Sequence, residues 1–572
     1  MPVHNSDITD TFNRIADLLE IEAANPFRVR AYRNAARIIS SQSKSVAEMV
    51  DQEEDLTRLP GIGNDLAEKI KEIVRTGTLA QLAEIESRTP AGLARLMKIA
   101  GLGPNRVKIL FEELGITGLD ELKEAARTGK ISQLKGFGKK TEQRIIDEIG
   151  REKKEKRFKL VVAEEVANAI IKHLKKVEGV KEAIVAGSNR RKRETVADLD
   201  ILVTCQKNCE VMDQFVSYED VSQIIAEGET RSTVLLRSNL QVDLRMVPEE
   251  SYGAALHYFT GSKAHNIAIR TLGVRRGVKI NEYGVFEGSK RVAGRTEEEV
   301  YKQVGLPFIE PELRENWGEI EAAQRGELPN LITLKNLRGD LHIHTKETDG
   351  RHTLEEMVEA SVDRGYEYVA VTNHSKHVTV ARGLDAQGMT TLIRKIDHLK
   401  EKTKKITILK SAEVDILEGG SLDLPDKILK ELDLTVCAVH YKFNLSKEKQ
   451  TERIIRAMDN PHFNILAHPS GRLINEREPY EVDMEKLMKA ALERGCFFEL
   501  NAHPDRLDLT DIYCKMAKEM GLKVAISTDA HSTGDLDFMR FGVGQARRGW
   551  LDSGDVLNTR SLRELLKLLK RK

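Results

Sequence analysis

The stretch Asp340-Leu341-His342-Ile343-His344 is a short apolar run that carries side chains able to bind a metal ion. Six similar runs follow it, and nearly all of them end in His, Asp or Glu. They lie at residues 368–374, 406–413, 434–440, 465–468, 497–501 and 524–531. Helical patterns separate several of these runs, at residues 353–364, 389–404 and 485–494. Buried strands that alternate with helices predict a parallel barrel for the last third of the chain.

Polar side chains at the carboxyl ends of parallel strands meet at one rim of a barrel. The seven runs and the loops after them supply nine candidate metal ligands: His342, His344, Asp349, His374, Glu413, His440, His468, Asp529 and His531. Eleven of the 15 histidines lie after residue 340, which indicates that this part has a metal chemistry of its own. A lone histidine is more often structural, but so many at one rim favour a metal centre.

A second group of acidic side chains lies on two predicted strands nearer the N-terminus. Residues 183–188 have the pattern of a buried strand with a small-residue turn, and Asp198 and Asp200 follow on the next strand. Alternate residues of a strand share a face, so these two carboxylates point the same way. The strand at residues 240–245 adds Asp243. Three clustered carboxylates repel one another unless divalent cations lie between them, and Mg²⁺ prefers such oxygen ligands.

A short glycine pattern occurs three times in the first 150 residues, which otherwise show helical periodicity. The pairs are Gly61 and Gly63, Gly101 and Gly103, and Gly136 and Gly138. A helix-forming stretch follows each pair, so free N–H groups at the start of that helix would face a bound anion. Glycine also lets a phosphate approach the bare backbone. The repeats resemble the helix-hairpin-helix motif of DNA repair proteins, which grips the DNA backbone without reading bases.

Length and composition set the class of protein. A chain of 572 residues exceeds one hydrophobic core, so we expect about three to five structural units. With 40% hydrophobic and 31% charged residues, the chain is not largely disordered, collagen-like or disulfide-rich. The sequence shows no membrane-spanning run, no secretory signal pattern and no CxxC pair among its five cysteines, so we expect a cytoplasmic protein. The formal net charge is zero, so any basic surface is local.

A family resemblance rests on the acidic strands and the segments around them. Its features are Gly187-Ser188, Asp198, Asp200, Asp243 and residues 258–262, which resemble the nucleotidyltransferase palm of the family X DNA polymerases. The resemblance covers most of residues 1–318. It implies that Asp198 and Asp200 bind two Mg²⁺ ions, and that Asp243 joins them and helps to deprotonate the primer 3′-hydroxyl.

The same resemblance implies a site for an incoming deoxynucleoside triphosphate (dNTP). Its residues are Gly187, Ser188, Arg191, Tyr258, Phe259, Gly261, Ser262, Lys263, Asn266 and Arg270. Ser188 and Arg191 would hold the triphosphate, and residues 258–261 would lie against the sugar and disfavour ribose. Asn266 and Arg270 would contact the base and the template. Two positions depart from the resemblance: Lys263 stands where the vertebrate repair polymerase of this family has an acidic residue, and Gln241 replaces a basic residue expected two positions before Asp243.

The N-terminal helices resemble the lyase domain of the same family. Arg28 and Tyr32 align with its 5′-phosphate pocket, and Lys69 aligns with its Schiff-base lysine. A nucleophilic lysine must lose its proton, which a nearby cation such as Arg28 favours. Asp65 stands where the lyases have a basic residue, so the competing interpretation of Lys69 is an ordinary helix-surface lysine.

The C-terminal runs resemble the polymerase and histidinol phosphatase (PHP) family. That resemblance implies a distorted (β/α)7 barrel similar to a TIM barrel and a centre of three metal ions that hydrolyses phosphoesters. All nine ligand positions are filled, which predicts an active centre. Asn373 replaces the usual aspartate and is expected to act outside the ligand set. Mixed imidazole and carboxylate ligands suit Mn²⁺, Zn²⁺ or Fe²⁺, and Arg472 is a candidate phosphate clamp.

Changes in composition near Gly150 and within residues 317–337, taken with both resemblances, predict six segments. They are a lyase-like helical domain (1–85), a helical DNA-binding domain with helix-hairpin-helix repeats (86–150), a palm (151–248), a nucleotide-selection subdomain (249–318), a linker (319–337) and a PHP phosphoesterase domain (338–572).

Both halves of the chain are thus predicted to act on phosphodiesters. The resemblances imply a bacterial family X DNA polymerase that fills short gaps in DNA repair, fused to a PHP domain with 3′–5′ exonuclease and AP endonuclease activity. Gapped or primer-template DNA and dNTPs are the expected partners of a monomeric chain. Three alternatives stay open at this level: a polymerase-inactive module that presents 3′ ends to a nuclease, a non-catalytic DNA-end scaffold, and a small-phosphoester phosphatase.

Overall fold

The structure is a computed structural model that describes residues 3–571 apart from positions 4, 41–45, 60, 98, 100–101, 151–156 and 207–208. The chain divides into two compact units, residues 1–156 and residues 157–572. Among the described residues, no helix has the length and apolar character needed to cross a membrane.

The first unit is helical, as its periodicity predicts. Its described helices are α1 (Asn5–Ile21), α2 (Pro26–Ser40), α3 (Val46–Asp51), α4 (Asn64–Thr76), α5 (Ala80–Arg88), α6 (Gly92–Leu96), α7 (Pro104–Leu114), α8 (Leu119–Arg127) and α9 (Lys139–Gly150). Apolar residues at three- and four-residue spacing form two buried clusters. One includes Phe12 and Ile70, and the other includes Val107 and Leu122.

The described glycines of the three pairs lie outside the helices, as the sequence predicts. The second glycine of each pair directly precedes α4, α7 or α9. Gly61 and Gly136 have φ angles of 77° and 88°, a conformation that glycine adopts without steric cost. A Cβ atom at either position would meet nothing within 4 Å, so the backbone there faces open space. Gly101 lies outside the described residues.

The second unit begins with a two-stranded sheet and a mixed five-stranded sheet. The elements of this region are β1 (Phe158–Lys159), α10 (Leu160–Leu174), β2 (Val180–Val185), α11 (Gly187–Arg190), β3 (Thr195–Val196), β4 (Asp198–Cys205), α12 (Val211–Val216), β5 (Val221–Ala226), β6 (Arg231–Leu236) and β7 (Gln241–Met246). The short strands β1 and β3 pair with each other. The order of the larger sheet is β2-β4-β7-β6-β5, with β4 parallel to β7 and all other neighbours antiparallel. Leu199 and Ile201 are fully buried, so the strand alternation predicted for β4 is confirmed.

Helices and a small antiparallel sheet follow. They are α13 (Tyr252–Thr260), α14 (Lys263–Arg275), β8 (Lys279–Asn281), β9 (Gly284–Glu287), β10 (Lys290–Ala293), α15 (Glu297–Gln303) and α16 (Glu319–Arg325). A buried polar network holds them together, because His265 lies 2.9 Å from the Tyr301 hydroxyl and 2.6 Å from the Glu319 carboxylate. Satisfied buried hydrogen bonds of this kind fix one arrangement of the helices.

The C-terminal part alternates strands and helices. Its elements are β11 (Gly339–Ile343), α17 (Leu354–Asp363), β12 (Tyr368–Val371), α18 (Ala386–Lys402), β13 (Thr407–Lys410), β14 (Glu413–Asp415), α19 (Asp426–Leu429), β15 (Val436–Ala438), α20 (Lys447–Met458), β16 (Ile465–Leu466), α21 (Met484–Arg494), β17 (Phe497–Asn501), α22 (Asp511–Met520), β18 (Val524–Ser527), α23 (Met539–Arg548) and α24 (Leu562–Leu569). Neighbouring strands are parallel throughout.

The predicted alternation of parallel strands and helices is confirmed, but a single closed barrel sheet is not found among the described residues. Parallel strands with intervening helices are present, but they form two sheets, β11-β12-β13 and β14-β15-β16-β17-β18. The run at residues 406–413 does not form one strand, because it ends as β13 at Lys410 and resumes as β14 at Glu413. Single bridges, Ile343 with Ala530 and His374 with Glu413, join strand ends of the two sheets.

Candidate active sites

The parallel pair β4 and β7 brings the three predicted aspartates together. Asp200 lies in register beside Asp243, and Asp198 lies two residues before it on the same face of β4. Burial, and then the charges of Asp198 and Asp243, raise the pKa of Asp200 to about 7. A divalent cation would relieve this repulsion, so the donor set fits Mg²⁺.

Asp243 is held by three hydrogen bonds. It accepts from Thr233 at 2.6 Å, from the Gln241 amide at 2.8 Å and from Arg231 at 3.2 Å. Burial acts to raise the pKa of Asp243, but these donors hold it below its ordinary value. Arg231 on β6 thus supplies the cation that is missing at Gln241. Sequence inspection could not find Arg231, because only the sheet register brings it to β7.

The first residue of α11 must be glycine, because the Asp200 side chain leaves no room for a Cβ atom there. Gly187 has a φ of 61°, and a Cβ atom there would lie 2.5 Å from the Asp200 carboxylate. Ser188 follows on α11, and Arg191 follows the helix directly. The Arg191 guanidinium donates to Glu315 at 3.1 Å and to the Thr260 carbonyl, and only 13% of its side chain is exposed.

The other predicted nucleotide residues lie around the turn from α13 to α14. Tyr258 and Phe259 contact each other edge to face, with ring centroids 5.1 Å apart. The Ser262 hydroxyl caps α14, and the Asn266 amide donates to the Tyr258 carbonyl at 2.6 Å. A Cβ atom at Gly261 would lie 3.1 Å from the Arg191 guanidinium. The two predicted cationic contacts, Lys263 and Arg270, are exposed on α14.

All nine predicted ligands of the C-terminal part fall in one connected cluster. Three groups have ligand atoms close enough to share an ion: His344, Asp349, His374 and His531; His342, His344 and Asp529; and His374, Glu413 and His440. His468 joins the third group, because its Nε2 lies 2.9 Å from the Glu413 carboxylate. The bridged strand ends bring these side chains to one edge, as the sequence predicts.

The spacing of these atoms fits metal ions. The Nε2 atom of His344 lies 3.0 Å from both the Nε2 atom of His342 and the Asp529 carboxylate. Ligands at about 2.1 Å around a tetrahedral ion are separated by about 3.4 Å. His344 Nδ1 and Asp349 Oδ1 are buried 3.6 Å apart, too far for a hydrogen bond, and the described residues offer neither atom another partner. A cation would satisfy both.

The electrostatics of the cluster also favour bound cations. Burial acts to lower the pKa of His374, but Glu413 and Asp349 outweigh it and raise that pKa to about 10. Burial, with the neighbouring His531 and His374, lowers the pKa of His344 to about 3, so this imidazole keeps the lone pair that a ligand needs. A cluster that stabilises a proton on one imidazole also stabilises a metal ion in its place.

Family models match three parts of the chain. A helix-hairpin-helix domain matches residues 3–79, a SAM-like helix-hairpin-helix tandem matches residues 93–151, and a DNA polymerase beta thumb matches residues 255–315. The DNA polymerase/3'-5' exonuclease PolX of Bacillus subtilis (strain 168) is 38% identical over 574 residues, which cover 100% of both chains. The chain belongs to the PolX family.

Two further relatives match parts of this chain. A probable phosphatase of Thermoanaerobacter sp. (strain X514) is 31% identical over 246 residues, which cover 41% of this chain and 96% of the relative. DNA polymerase lambda of Rattus norvegicus is 24% identical over 342 residues, which cover 54% of this chain and 56% of the relative. The chain thus combines similarity to a polymerase with similarity to a phosphatase.

Buried polar groups orient the candidate metal ligands of the C-terminal cluster. Glu499 lies 2.7 Å from His342 Nδ1, and Asp415 lies 3.2 Å from His440 Nδ1, so each ring turns its Nε2 atom toward the cluster. Asn373 accepts from the Thr345 N–H at 2.9 Å and thereby fixes the loop that carries Asp349. Glu499 and Asp415 were missed as functional residues, although both lie on strands of the runs that mark the site.

The arginine predicted as a phosphate clamp, Arg472, is engaged in an ion pair outside the pocket of the C-terminal cluster. Arg472 pairs with Glu194 at 2.6 Å and is only 11% exposed, so it is engaged between the palm and the C-terminal part. Arg506 instead lines a pocket of about 250 Å³ together with ligands of the cluster, and its Nε lies 3.5 Å from Asp529. The sequence places both arginines in loops after strands, which does not reveal which one faces the pocket.

The lysine predicted to act in a lyase reaction is engaged in an ion pair. Lys69 makes an ion pair with Asp65 one helical turn away, and only 17% of its side chain is exposed. Its ammonium group lies 5.7 Å from the ring centre of Tyr32, whose hydroxyl donates to Gln81 at 2.6 Å. Arg28 is exposed on α2. The Schiff-base role of Lys69 therefore stays a prediction, beside the interpretation of this residue as an ordinary helix lysine.

Proposed function

We propose that this chain is a DNA-directed DNA polymerase of family X that fills short gaps in DNA, and that its C-terminal part is a 3′–5′ exonuclease. One observation carries the proposal. A chain that matches the Bacillus subtilis PolX over its whole length contains both predicted clusters, the three aspartates on β4 and β7 and the nine His, Asp and Glu residues of the C-terminal part. Helix-hairpin-helix segments and a thumb support DNA as the substrate.

For synthesis, the polymerase cluster would hold Mg²⁺ through Asp198, Asp200 and Asp243. Bound ions of this kind activate the attacking hydroxyl and neutralise the phosphates. The residues of the chain position the reactants: Thr233 and Gln241 keep Asp243 oriented, and Gly187 leaves room beside Asp200. Ser188 and Arg191 would bind the triphosphate of the dNTP, with residues 258–261 against its sugar.

For hydrolysis, the nine-ligand cluster would hold three ions, for which Mn²⁺ or Zn²⁺ suit the donor atoms. Such ions activate water and neutralise the phosphodiester. Glu499, Asp415 and Asn373 hold the ligands in place, and Arg506 would bind the phosphate that enters the pocket. The same centre would incise DNA at abasic sites, because that reaction also hydrolyses a phosphodiester.

We further propose that the two C-terminal sheets form one distorted (β/α)7 barrel. The bridge between Ile343 and Ala530 supports closure on one side, and the bridge between His374 and Glu413 supports it on the other. Strands of both sheets also contribute to a single buried cluster that includes Leu341. The finer division into six segments, with a palm at 151–248 and a PHP domain at 338–572, belongs to the same proposal, as does a monomeric chain.

A 5′-labelled gapped duplex tests the two activities together. With dNTPs and Mg²⁺ we expect the labelled strand to lengthen until the gap is filled, because the palm reaction adds nucleotides at its 3′ end. Without dNTPs, and with Mn²⁺, we expect the same strand to shorten from its 3′ end. Denaturing gel electrophoresis resolves both products. A chain that only releases phosphate from a 3′-phosphorylated strand would instead be a phosphatase.

Replacing Arg506 by alanine is expected to lower the exonuclease kcat/KM by about 10²-fold, because a charge-assisted bond to the phosphate is lost. Bound metal, measured by mass spectrometry, should be unchanged. Arg472→Ala is the matched control, because Arg472 pairs with Glu194 and does not face the pocket. A larger loss of exonuclease rate in Arg472→Ala than in Arg506→Ala would restore Arg472 as the clamp.

A further inference from the structure

Two consecutive arginines at the end of α23 reach from the C-terminal part to the polymerase half. Arg547 pairs with Glu312 at 2.7 Å and with Glu310 at 3.3 Å. Arg548 donates to the Glu315 carboxylate at 3.0 Å and to the backbone carbonyl of Arg191 at 2.8 Å. Of these two arginines, therefore, only Arg548 contacts Arg191, the arginine predicted to bind the triphosphate.

Arg548 is anchored on its own side as well. Asp511, at the start of α22, accepts two bonds from the Arg548 guanidinium, at 2.6 and 3.1 Å. The Arg548 side chain is only 2% exposed. A guanidinium has five donors in a fixed fork, and Arg548 uses that fork to reach a carboxylate in each half of the unit and a backbone carbonyl.

One oxygen of Glu315 is shared among cations. Oε1 accepts from Arg191 at 3.1 Å and from Arg548 at 3.0 Å, and the Arg193 guanidinium lies 3.8 Å away. The network thus contains three arginines (Arg191, Arg193 and Arg548) and two carboxylates, those of Glu315 and Asp511. One positive charge is in surplus, and the network includes Arg191, the arginine predicted to hold the triphosphate.

We propose that Arg548 is a positioning residue for the polymerase site, through which the PHP part sets the affinity for the incoming nucleotide. Arg548 fixes the backbone of Arg191 and shares the Glu315 carboxylate, so the Arg191 guanidinium can exchange that carboxylate for a triphosphate. This inference rests on the proposed function, in which Arg191 binds the nucleotide.

If Arg548 were lost, Glu315 and the triphosphate would compete more strongly for the Arg191 guanidinium. Glu315 would then be neutralised mainly by Arg191, and the tighter pair would resist exchange with a phosphate. The carbonyl of Arg191 would also lose its donor, which loosens the end of α11. Both effects weaken nucleotide binding, but neither touches the aspartates that carry the chemistry or the metal ligands of the nuclease.

The test compares Arg548→Gln with Arg547→Gln, which removes a neighbouring cation from the same helix and the same boundary. In gap filling by the full chain, Arg548→Gln is expected to raise KM for dNTP by about tenfold, with kcat within about twofold of wild type. Arg547→Gln should leave KM within about twofold. Exonuclease rate and melting temperature, measured in parallel, should be alike in the two variants.

A second substitution separates positioning from general loosening. Adding Glu315→Gln to Arg548→Gln removes the competing carboxylate and is expected to bring KM back to within about threefold of wild type. A merely structural role predicts the opposite, since two lost contacts would disturb α11 more than one. Nucleotide titration with Ca²⁺ in place of Mg²⁺, followed by fluorescence, gives the same comparison without turnover.

An unchanged KM in Arg548→Gln, or an equal rise in Arg547→Gln and Arg548→Gln, would overturn the inference while gap filling by wild type still supports the proposed function. A wild-type chain that adds no nucleotide would overturn the proposed function itself. Arg548→Lys serves if Arg548→Gln does not fold, because it keeps the charge but not the fork, and it is expected to raise KM about threefold.

Discussion

Primer extension is expected to vanish when Asp198 and Asp200 are both replaced by alanine, while the exonuclease of the same chain persists. The two carboxylates share a face of β4 beside Asp243, and no other carboxylate is in register with them on β7. Without them, the cations that activate the hydroxyl and neutralise the triphosphate lose most of their ligands. We expect a loss in kcat/KM on the order of 10³-fold or more.

Gap filling and 3′ degradation, measured on one 5′-labelled duplex, check this result. Asp213→Ala is the matched control, because Asp213 is exposed on α12, outside the cluster. Extension at the wild-type rate by the double variant would refute the assignment of the palm site. A wild-type chain that degrades 3′ ends but adds no nucleotide would instead be a module that only presents 3′ ends to its nuclease.

The same cluster predicts a dependence on pH. The pKa of Asp200 is raised to about 7 by burial and by its two neighbours, so Mg²⁺ must displace a proton from this carboxyl at lower pH. The Mg²⁺ concentration needed for half-maximal extension should therefore rise as the pH falls below about 7. Asp200→Asn, which has no proton to lose there, should not show that rise in whatever activity remains.

The sequence predicted the parts of both sites that lie along single strands. Alternation on β4 is enough to place Asp198 and Asp200 on one face, and the apolar runs of the C-terminal part are enough to collect nine ligands at strand ends. These inferences depend on local periodicity. They require no knowledge of which strand lies beside which.

Contacts that depend on sheet register or on packing could not be predicted in this way. Arg231 reaches Asp243 because β6 pairs with β7, and Arg472 turns toward Glu194 because the two halves of the second unit pack together. The division of one apolar run into β13 and β14 is likewise a tertiary effect. Long side chains such as Arg472 and Arg506 can reach several partners, and only the packed structure selects one.

Exonuclease activity is expected to vanish when His342 and His344 are both replaced by alanine, while gap filling persists. Both imidazoles are fully buried, and their Nε2 atoms lie 3.0 Å apart beside Asp529. Their loss removes two of the three ligands of one group, so the chain should bind fewer ions and degrade 3′ ends at least about 10³-fold more slowly.

Metal content, measured by mass spectrometry on the purified chain, separates loss of ions from loss of fold. His342→Asn/His344→Asn keeps much of the buried volume and should show the same loss if the alanine variant is unstable. His398→Ala is the matched control, because His398 is 67% exposed on α18 and belongs to no group of ligands. Degradation by the double variant at a fast wild-type rate would mean that the nuclease lies elsewhere in the chain. If wild type degrades 3′ ends as slowly as the double variant is expected to, the result would favour a non-catalytic DNA-end scaffold. The aspartates proposed to carry out gap filling share no residue with this cluster, so only a selective loss of 3′ degradation supports two independent centres in one chain.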